Sequence, residues 1–289
     1  MVANPARVSD LDDRRRIIEA VLAEAGWPAP SWWDTTPLDP GTGQARAAVA
    51  DGAQVVLVCG GDGTVRAVIA GLLGTDTALA VLPAGTGNLL AANLGLPDDP
   101  SDGVRLVIAG GRRDLDIGQV DGQVFAVMAG MGFDAAMMGD ASDRWKAQVG
   151  PLAYVFSAIG HLRDRPMRLQ VLIDDREPIH CVARSVLVGN VGRLQGGVRL
   201  LPDAEPDNGQ MEVAILAPRH LGHWVRLAAG VLLRRTRVPR LTILRGRRIS
   251  ITSDRLQPRQ LDGDVIEPGT SLHVTVLPGG VQICVEPPR

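Results

Sequence analysis

The sequence contains a single lysine, Lys146, which follows neither of its two glycine-rich segments. A phosphate-binding loop of the GxxxxGK[ST] type needs a lysine directly after its glycines, so this class of nucleotide site is excluded. Cysteine is also scarce. Cys59, Cys181 and Cys284 are scattered and odd in number, which fits neither a disulfide framework nor a metal site. We expect them to be small core residues in a reducing compartment.

Long apolar segments are missing as well. The run from Leu227 to Leu233 is far shorter than the roughly 20 residues that a membrane-spanning helix needs. Asn4, Pro5 and Arg7 interrupt any apolar segment at the start, so no signal peptide is expected. These absences predict a cytoplasmic protein, whose contact with the inner face of the cell membrane, where it exists, is peripheral.

A glycine-rich loop, Gly60-Gly61-Asp62-Gly63-Thr64, lies between two strongly patterned segments. The run Val55–Cys59 predicts a buried strand, and Val65, Val68 and Leu72 mark one face of a helix that starts at about Thr64. Glycines let main-chain N–H groups approach phosphate, and the positive end of the helix favours the same anion. A carboxylate at Asp62 repels phosphate unless a cation such as Mg²⁺ bridges the two.

A second loop of the same kind follows within 30 residues. The run Ala78–Leu82 predicts another buried strand, and Pro83-Ala84-Gly85-Thr86-Gly87-Asn88 leads from it into a short helix that ends before Gly95. Adjacent parallel strands would bring both loops to the carboxyl edge of one sheet, where open α/β sheets bind their ligands.

The pattern changes after about Asp116, from alternating strands and helices to short β segments. We predict an α/β domain over residues 1–117 and an antiparallel β domain over residues 118–289, and leave open whether the last few residues return to the first domain. One helix is expected at about 144–162. The predicted strands of the second domain are 124–128, 169–173, 184–188, 211–216, 248–252 and 272–277.

These motifs together resemble the diacylglycerol and sphingosine kinase type of lipid kinase, most closely its bacterial diacylglycerol kinase-like group. Gly60–Thr64 is also shared with phosphofructokinases and NAD kinases, but the Pro83–Asn88 loop is similar to the lipid-kinase signature. Further resemblances run through most of the chain: Asn4-Pro5, Asp116-Ile117-Gly118, Gly130-Met131-Gly132-Phe133-Asp134-Ala135 and Leu261-Asp262-Gly263-Asp264.

The resemblance implies a Rossmann-like, NAD-kinase-like α/β domain followed by an antiparallel β-sandwich, with ATP and Mg²⁺ as cofactors. Asp262 would be the catalytic base, assisted by Asp62 and Asp264, and Asp62 with Asp116 would hold the metal. Taken alone, Asp262-Gly263 predicts a hairpin turn. The residues implied in nucleotide binding are Asn4, Thr35 (with Thr36 as the alternative), Gly60, Gly61, Asp62, Gly63, Thr64, Gly85, Thr86, Gly87 and Asn88.

Four features depart from the family pattern. Only Met1–Ala3 precede Asn4, so the first strand is either very short or cut by the choice of start codon. Leu89 stands where many members have an aspartate. Asp264 replaces a glutamate and is shorter by about one methylene. Asn208 replaces an aspartate that helps to bind a structural Mg²⁺ in some relatives.

Charge is distributed unevenly. The net charge is −2, yet Pro218–Gln260 contains 11 arginines against one acidic residue, Asp254. A helix over His220–Val238, with Trp224 at the edge of an apolar face, would suit an anionic membrane surface or would pack on the β domain. No recognition motif accompanies the arginines, so nucleic acid is not an expected partner.

The sequence therefore predicts a lipid kinase that transfers the γ-phosphoryl group of ATP to a lipid hydroxyl at a membrane surface, with diacylglycerol as the preferred acceptor. Two alternatives remain: a kinase of another acceptor (a sphingoid base or a soluble small molecule), and a lipid-binding protein with weak catalysis. The oligomeric state is open, and a homodimer is compatible with the sequence.

Overall fold

A computed structural model of the protein describes residues 1–132, 165–193, 199–233 and 238–287. The chain divides into two compact units, Met1–Ile117 with Pro278–Arg289, and Gly118–Leu277. The helix predicted at about 144–162, and the Phe133–Ala135 part of one motif, lie outside the described residues.

The first unit is built on parallel strands in the order β4-β3-β1-β2. Strand β14 (Asp264–Cys284) adds to β4, also in parallel, through the pairing of Ile283 with Leu79. The two predicted buried strands are confirmed, because five of the six residues of β3 and all six of β4 are buried. The strands are β1 (Val2–Ala3), β2 (Trp33–Asp34), β3 (Val55–Gly60) and β4 (Ala78–Pro83).

Five helices belong to the first unit. They are α1 (Leu11–Glu24), α2 (Thr42–Ala50), α3 (Asp62–Leu72), α4 (Leu89–Leu94) and α5 (Pro100–Ile108). Helix α3 begins at Asp62, two residues before the predicted start. The apolar pattern of the sequence predicts that Ile17, Ile18, Val21 and Leu22 form the inner face of α1. Ile18, Val21 and Leu22 are buried, but Ile17 is 40% exposed, so its assignment to the inner face is wrong. Helix α4 ends as predicted before Gly95, which adopts a left-handed conformation.

The second unit is dominated by antiparallel pairing, in the order β12-β11-β10-β7-β13-β14, with β8 also on β13 and β9 on β8. Many of its buried side chains form an apolar cluster that includes Phe125, Met131 and Leu261. The strands are β5 (Arg112–Val120, shared with the first unit), β6 (Gln123–Phe125), β7 (Met128–Gly132), β8 (Met167–Ile173), β9 (Ile179–Ala183), β10 (Ser185–Gly189), β11 (Met211–Leu216), β12 (Leu241–Gly246), β13 (Arg248–Leu261) and β14 (Asp264–Cys284, shared with the first unit).

Helix α6 (Leu221–Leu232) is the described helix of the second unit. It falls within the predicted segment, and Trp224, Leu227 and Val231 are buried along one side. Trp224 therefore packs inward instead of standing at the edge of an exposed face. No helix among the described residues is long and apolar enough to span a bilayer.

Candidate functional site

The chain segments that leave the four parallel strands meet at the carboxyl edge of the first unit's sheet. Asn4 follows β1, and its main-chain N–H donates to the carbonyl of Cys59 at 3.2 Å. Thr35 follows β2 and donates to the carbonyl of Ala3 at 2.8 Å. Ala84 follows β4 and donates to the carbonyl of Gly60 at 3.1 Å. Residues that are far apart in the sequence thus surround both glycine loops.

Close contact between the two loops explains their glycines. A Cβ on Gly85 would lie 2.7 Å from the Cα of Gly61, and a Cβ on Gly60 would lie 2.9 Å from the Cβ of Thr64. None of the glycines in these two loops has a positive φ. Gly60 and Gly85 are therefore required for close approach of neighbouring atoms and not for a left-handed turn.

Replacing Gly85 with alanine tests this contact. The new methyl group would push the main chain of Gly61 away. Since the resemblance implies that these loops bind ATP, we expect the KM for ATP to rise at least about tenfold through the loss of roughly 1.4 kcal/mol of binding. Steady-state kinetics with varied ATP would measure the change.

Gly26→Ala is the matched control. Gly26 has a φ of 74°, and a Cβ there would meet no atom within 4 Å. This variant should lose stability through backbone strain of about 1–2 kcal/mol, yet keep its KM for ATP. An unchanged KM in Gly85→Ala would show that the loops tolerate separation.

A carboxylate joins the two loops. Oδ1 of Asp62 accepts the main-chain N–H of Leu89 at 2.7 Å. Within the second loop, Oδ1 of Asn88 accepts the N–H of Gly85 at 2.9 Å, and its Nδ2 donates to the Gly85 carbonyl at 2.8 Å. Asn88 itself adopts a left-handed conformation, with φ 47°. Asn88 therefore shapes the loop, a function that the motif did not reveal.

The side chain of Asn4 also shapes the first loop. Its Nδ2 donates to the hydroxyl of Thr64 at 3.0 Å, and that hydroxyl belongs to a buried residue in the first turn of α3. Thr35 is buried as well, whereas Thr36 is exposed and its hydroxyl accepts the N–H of Asp39 at 3.1 Å. Thr36 thus stabilises a local turn, which favours Thr35 as the residue at this edge.

The loops still present groups to solvent. Gly63, Gly85 and Thr86 are exposed. Gly63 lies in the first turn of α3, which begins at Asp62 with Gly61 as its N-cap. The first-turn N–H groups of a helix have no partner inside the helix, and they carry a partial positive charge. This part of the first unit therefore has the chemistry of a phosphate site.

Sequence reasoning missed Arg14 on α1. Its Nη1 donates to the carbonyl of Pro83 at 3.2 Å, where the second loop begins, and its Nε is 2.9 Å from Oδ2 of Asp10. Burial raises the pKa of the neighbouring Cys59 thiol, and Arg14 only partly opposes this shift, so Cys59 is a core thiol and not a nucleophile. No sequence signal marks the contact of Arg14 with the second loop, since its partner there is a main-chain carbonyl.

Asp116, the second predicted metal ligand, lies in β5 and is 1% exposed. Its Oδ1 accepts the N–H of Gly279 at 2.9 Å. The described residues contain no group of three or more His, Cys, Asp or Glu side chains that could hold a metal. Mg²⁺ commonly takes one or two carboxylates, with phosphates and waters as its other ligands. Asp62 fits that chemistry, and the joint role of Asp62 and Asp116 stays a prediction.

In the second unit, Asp262 and Gly263 form the two-residue turn between β13 and β14. Their φ angles are 49° and 90°, as a type I′ hairpin requires, so the hairpin expected from Asp-Gly is present. Asp264 is exposed and pairs with Leu261 across this turn. The main-chain N–H of Asp262 donates to the carbonyl of Met128 at 2.8 Å.

The carboxylate of Asp262 is nearly buried, with the whole residue 8% exposed. Its Oδ2 accepts the N–H of Ala126 at 2.8 Å, and its Oδ1 accepts those of Val127 and Met128 at 2.8 and 2.9 Å. The single strand predicted over 124–128 is therefore wrong. The chain bends after β6, because these N–H groups turn toward Asp262.

Asn190 holds the same bend. Its Nδ2 donates to the carbonyl of Ala126 at 3.0 Å, and its main-chain N–H donates to that of Val127 at 2.9 Å. Asn190, Asp262 and the 126–128 bend thus form one hydrogen-bonded polar feature of the second unit.

At Asn208, which departs from the family pattern, Oδ1 accepts the N–H of Gln210 at 2.9 Å within a local turn.

Comparisons with known proteins agree with this arrangement. Residues 9–120 match the diacylglycerol kinase catalytic domain, and residues 126–285 match the YegS C-terminal NAD kinase beta sandwich-like domain. A "probable lipid kinase YegS-like" protein of Pseudomonas fluorescens is 30% identical over 247 residues, which are 82% of this chain and 79% of that protein. A diacylglycerol kinase of Mycobacterium tuberculosis is 31% identical over 176 residues, 58% of this chain; the match spans 57% of the relative's length.

Solved structures show the same fold. A diacylglycerol kinase structure from Bacillus anthracis has a TM-score of 0.76 at 19% identity, covering 99% of this chain and 96% of that one. An NAD kinase from Archaeoglobus fulgidus, in complex with ATP, has a TM-score of 0.55 at 11% identity, covering 99% of this chain and 92% of that one. The chain therefore belongs to the diacylglycerol kinase-like family of bacterial lipid kinases.

Proposed function

We propose that this protein is an ATP- and Mg²⁺-dependent lipid kinase that transfers the γ-phosphoryl group to a lipid hydroxyl, with diacylglycerol as the acceptor and phosphatidic acid as the product. The observation that carries the proposal is the contact between the two glycine loops. The carboxylate of Asp62 links them by accepting the N–H of Leu89, which directly follows the second loop. The names of the Mycobacterium and Pseudomonas relatives support a lipid acceptor.

Main-chain groups would bind the nucleotide. Phosphoryl transfer depends on positioning and on neutralising the charge of the equatorial oxygens, and no lysine follows either loop. The N–H groups of Gly61 and Gly63, with the first turn of α3, can donate to phosphate oxygens. Each charge-assisted bond would contribute roughly 1.5–3 kcal/mol. The NAD kinase from Archaeoglobus was solved in complex with ATP, which supports this class of ligand.

Carboxylates would hold the neutralising cation and supply the base. Asp62, with Asp116, is the group that would hold Mg²⁺, which in such sites neutralises charge on the transferring phosphate. Asp262 would accept the proton of the acceptor hydroxyl, and Asp264 would assist it. The three N–H bonds that Asp262 accepts fix the direction of its carboxylate, as a base must be fixed.

The decisive experiment supplies the full chain with labelled ATP, Mg²⁺ and a panel of acceptors. Diacylglycerol and sphingoid bases would be presented in mixed micelles, and soluble alcohols in buffer. We expect label in phosphatidic acid only, with loss of transfer when EDTA replaces Mg²⁺.

Other outcomes would replace the proposal. Transfer that saturates with an aqueous acceptor and ignores micelles would identify a soluble-substrate kinase. Binding to lipid without transfer to any acceptor would identify a lipid-binding protein with weak catalysis. Leu89, a buried leucine where many relatives have an aspartate, is the observation behind that second alternative.

A further inference from the structure

Helix α6 has apolar side chains on two opposite sides. Trp224, Leu227 and Val231 are buried against the second unit. On the other side lie five exposed positions, Gly222, Val225, Arg226, Ala229 and Leu233, the last directly after the helix. Val225 is 49% exposed and Leu233 is 64% exposed. An apolar side that faces water on a surface helix is unusual for a globular protein and typical of a helix lying in a membrane interface.

Cations surround the start of this helix. Arg219, Arg226 and Arg240 are exposed, and their positive charges act together on His223. His220 stacks on His223, with ring centroids 3.7 Å apart. Among the described residues, none of the three arginines forms a salt bridge with a carboxylate.

The surrounding sequence extends the positive charge. Arg234, Arg235 and Arg237 follow the helix directly, and Pro218–Gln260 contains Asp254 as its one acidic residue. Exposed apolar side chains beside Arg219, Arg226 and Arg240 match an anionic bilayer, because its acyl region accepts the apolar side chains and its headgroups pair with the arginines. Neither a soluble anion nor an acidic peptide would account for the exposed Val225 and Leu233.

We propose that the exposed side of α6, with Arg219, Arg226 and Arg240, is the surface by which this protein docks on an anionic lipid bilayer, and that acid strengthens the docking through His223. The inference deepens the proposed function by naming the docking surface of a lipid kinase.

The pH dependence follows from the state of His223 off the membrane. Desolvation of its ring, followed by the positive charges of His220, Arg240, Arg226 and Arg219, lowers its pKa below the ordinary 6.5. Its Nδ1 also accepts the main-chain N–H of Arg219 at 3.2 Å, which requires an unprotonated nitrogen. Anionic headgroups offset the surrounding positive charge, so protonation becomes easier on the bilayer. Docking then takes up a proton and strengthens as the pH falls.

Co-sedimentation of the full chain with vesicles, without ATP, tests the surface. We expect binding to phosphatidylcholine vesicles that contain phosphatidylglycerol and none to phosphatidylcholine alone. Changing Arg219, Arg226 and Arg240 together to alanine should lower the partition coefficient about a hundredfold at low salt. Val225→Asp with Leu233→Asp should also weaken binding by at least about tenfold.

The control variant changes Arg16, Arg46 and Arg105 to alanine, which removes the same charge from exposed positions on helices of the first unit. It should bind within about twofold of the unaltered protein. An equal loss of vesicle binding in both triple variants would mean that only the net charge of the protein matters. It would overturn the assignment of α6 as the docking surface. Equal binding to neutral vesicles, or release by inorganic phosphate at matched ionic strength, would overturn the anionic-bilayer partner.

His223→Asn tests the acid effect separately. The amide oxygen can replace Nδ1 as the acceptor for Arg219, but it cannot be protonated in this range. Binding of the unaltered protein should increase severalfold between about pH 7.5 and about pH 5.5, and the variant should lose that increase. An identical pH profile in both proteins would contradict the histidine mechanism. Since no step uses ATP, a failure of docking is distinguishable from a failure of the kinase proposal.

Discussion

Asp62→Asn is expected to lower kcat/KM for phosphoryl transfer about a thousandfold, equivalent to roughly 4 kcal/mol of transition-state stabilisation. The asparagine oxygen can still accept the N–H of Leu89, which Asp62 accepts at 2.7 Å, so the tie between the loops is kept. What is lost is the negative charge that would hold the cation. Steady-state kinetics with varied Mg²⁺ would measure the loss, and we expect the Mg²⁺ requirement to rise with it.

Asp102→Asn is the matched control, because Asp102 also lies in the first turn of a helix of the first unit, α5. Both variants remove a negative charge that interacts favourably with the positive end of a helix dipole. Each should therefore lose no more than about 1 kcal/mol of the free energy of unfolding. Only Asp62→Asn should lose turnover. Normal turnover in Asp62→Asn would remove the carboxylate from the mechanism, and with it the proposed metal site.

Asp262→Asn is expected to lower the free energy of unfolding of the second unit by about 3 kcal/mol, and kcat by at least about a hundredfold. An amide has one acceptor oxygen, so the amino group of the asparagine would face an N–H of the 126–128 bend that the carboxylate now accepts. Thermal and urea unfolding would measure the first effect. Turnover well below the melting temperature would measure the second.

A second Asp-Gly turn provides a control that helps to separate the structural role of Asp262 from its role as the base. Asp121 and Gly122 form another Asp-Gly hairpin turn, with φ angles of 49° and 79°, but the Asp121 side chain is 52% exposed and pairs with Arg259. Asp121→Asn should leave the free energy of unfolding within about 1 kcal/mol of its original value. Reduced stability with full turnover in Asp262→Asn would support the structural role of Asp262 at the 126–128 bend and contradict its role as the base. Unchanged stability would contradict the structural role of Asp262 at the bend.

Much of the first unit follows from local sequence. Apolar runs such as Val55–Cys59 and Ala78–Leu82 are buried on both faces, so composition alone marks them as strands. Helix α3 starts two residues earlier than its pattern predicts, because a glycine loop gives little propensity signal at its junction with a helix. Ile17 fits the apolar period of α1 yet is exposed, since periodicity cannot show how wide a buried face is.

Two strands that the sequence did not predict share a physical reason. Strands β9 and β12 lie at sheet edges, where each pairs with one neighbour among the described strands, and most of their side chains are at least partly exposed. Their sequences therefore lack a clear alternation. The bend at 126–128 could not be predicted either, because the carboxylate that holds Ala126 is 136 residues away in the sequence.

The path of β14 has a consequence for biosynthesis. Ile283, which pairs with Leu79 beside β3, is made only after the ribosome has translated all of the second unit. The sheet beneath the glycine loops thus emerges with one neighbour missing, and the nascent chain must keep the β4 edge unpaired until late in translation. Folding of the second unit can precede completion of the first, so a fragment cut at residue 117 should expose this edge and aggregate.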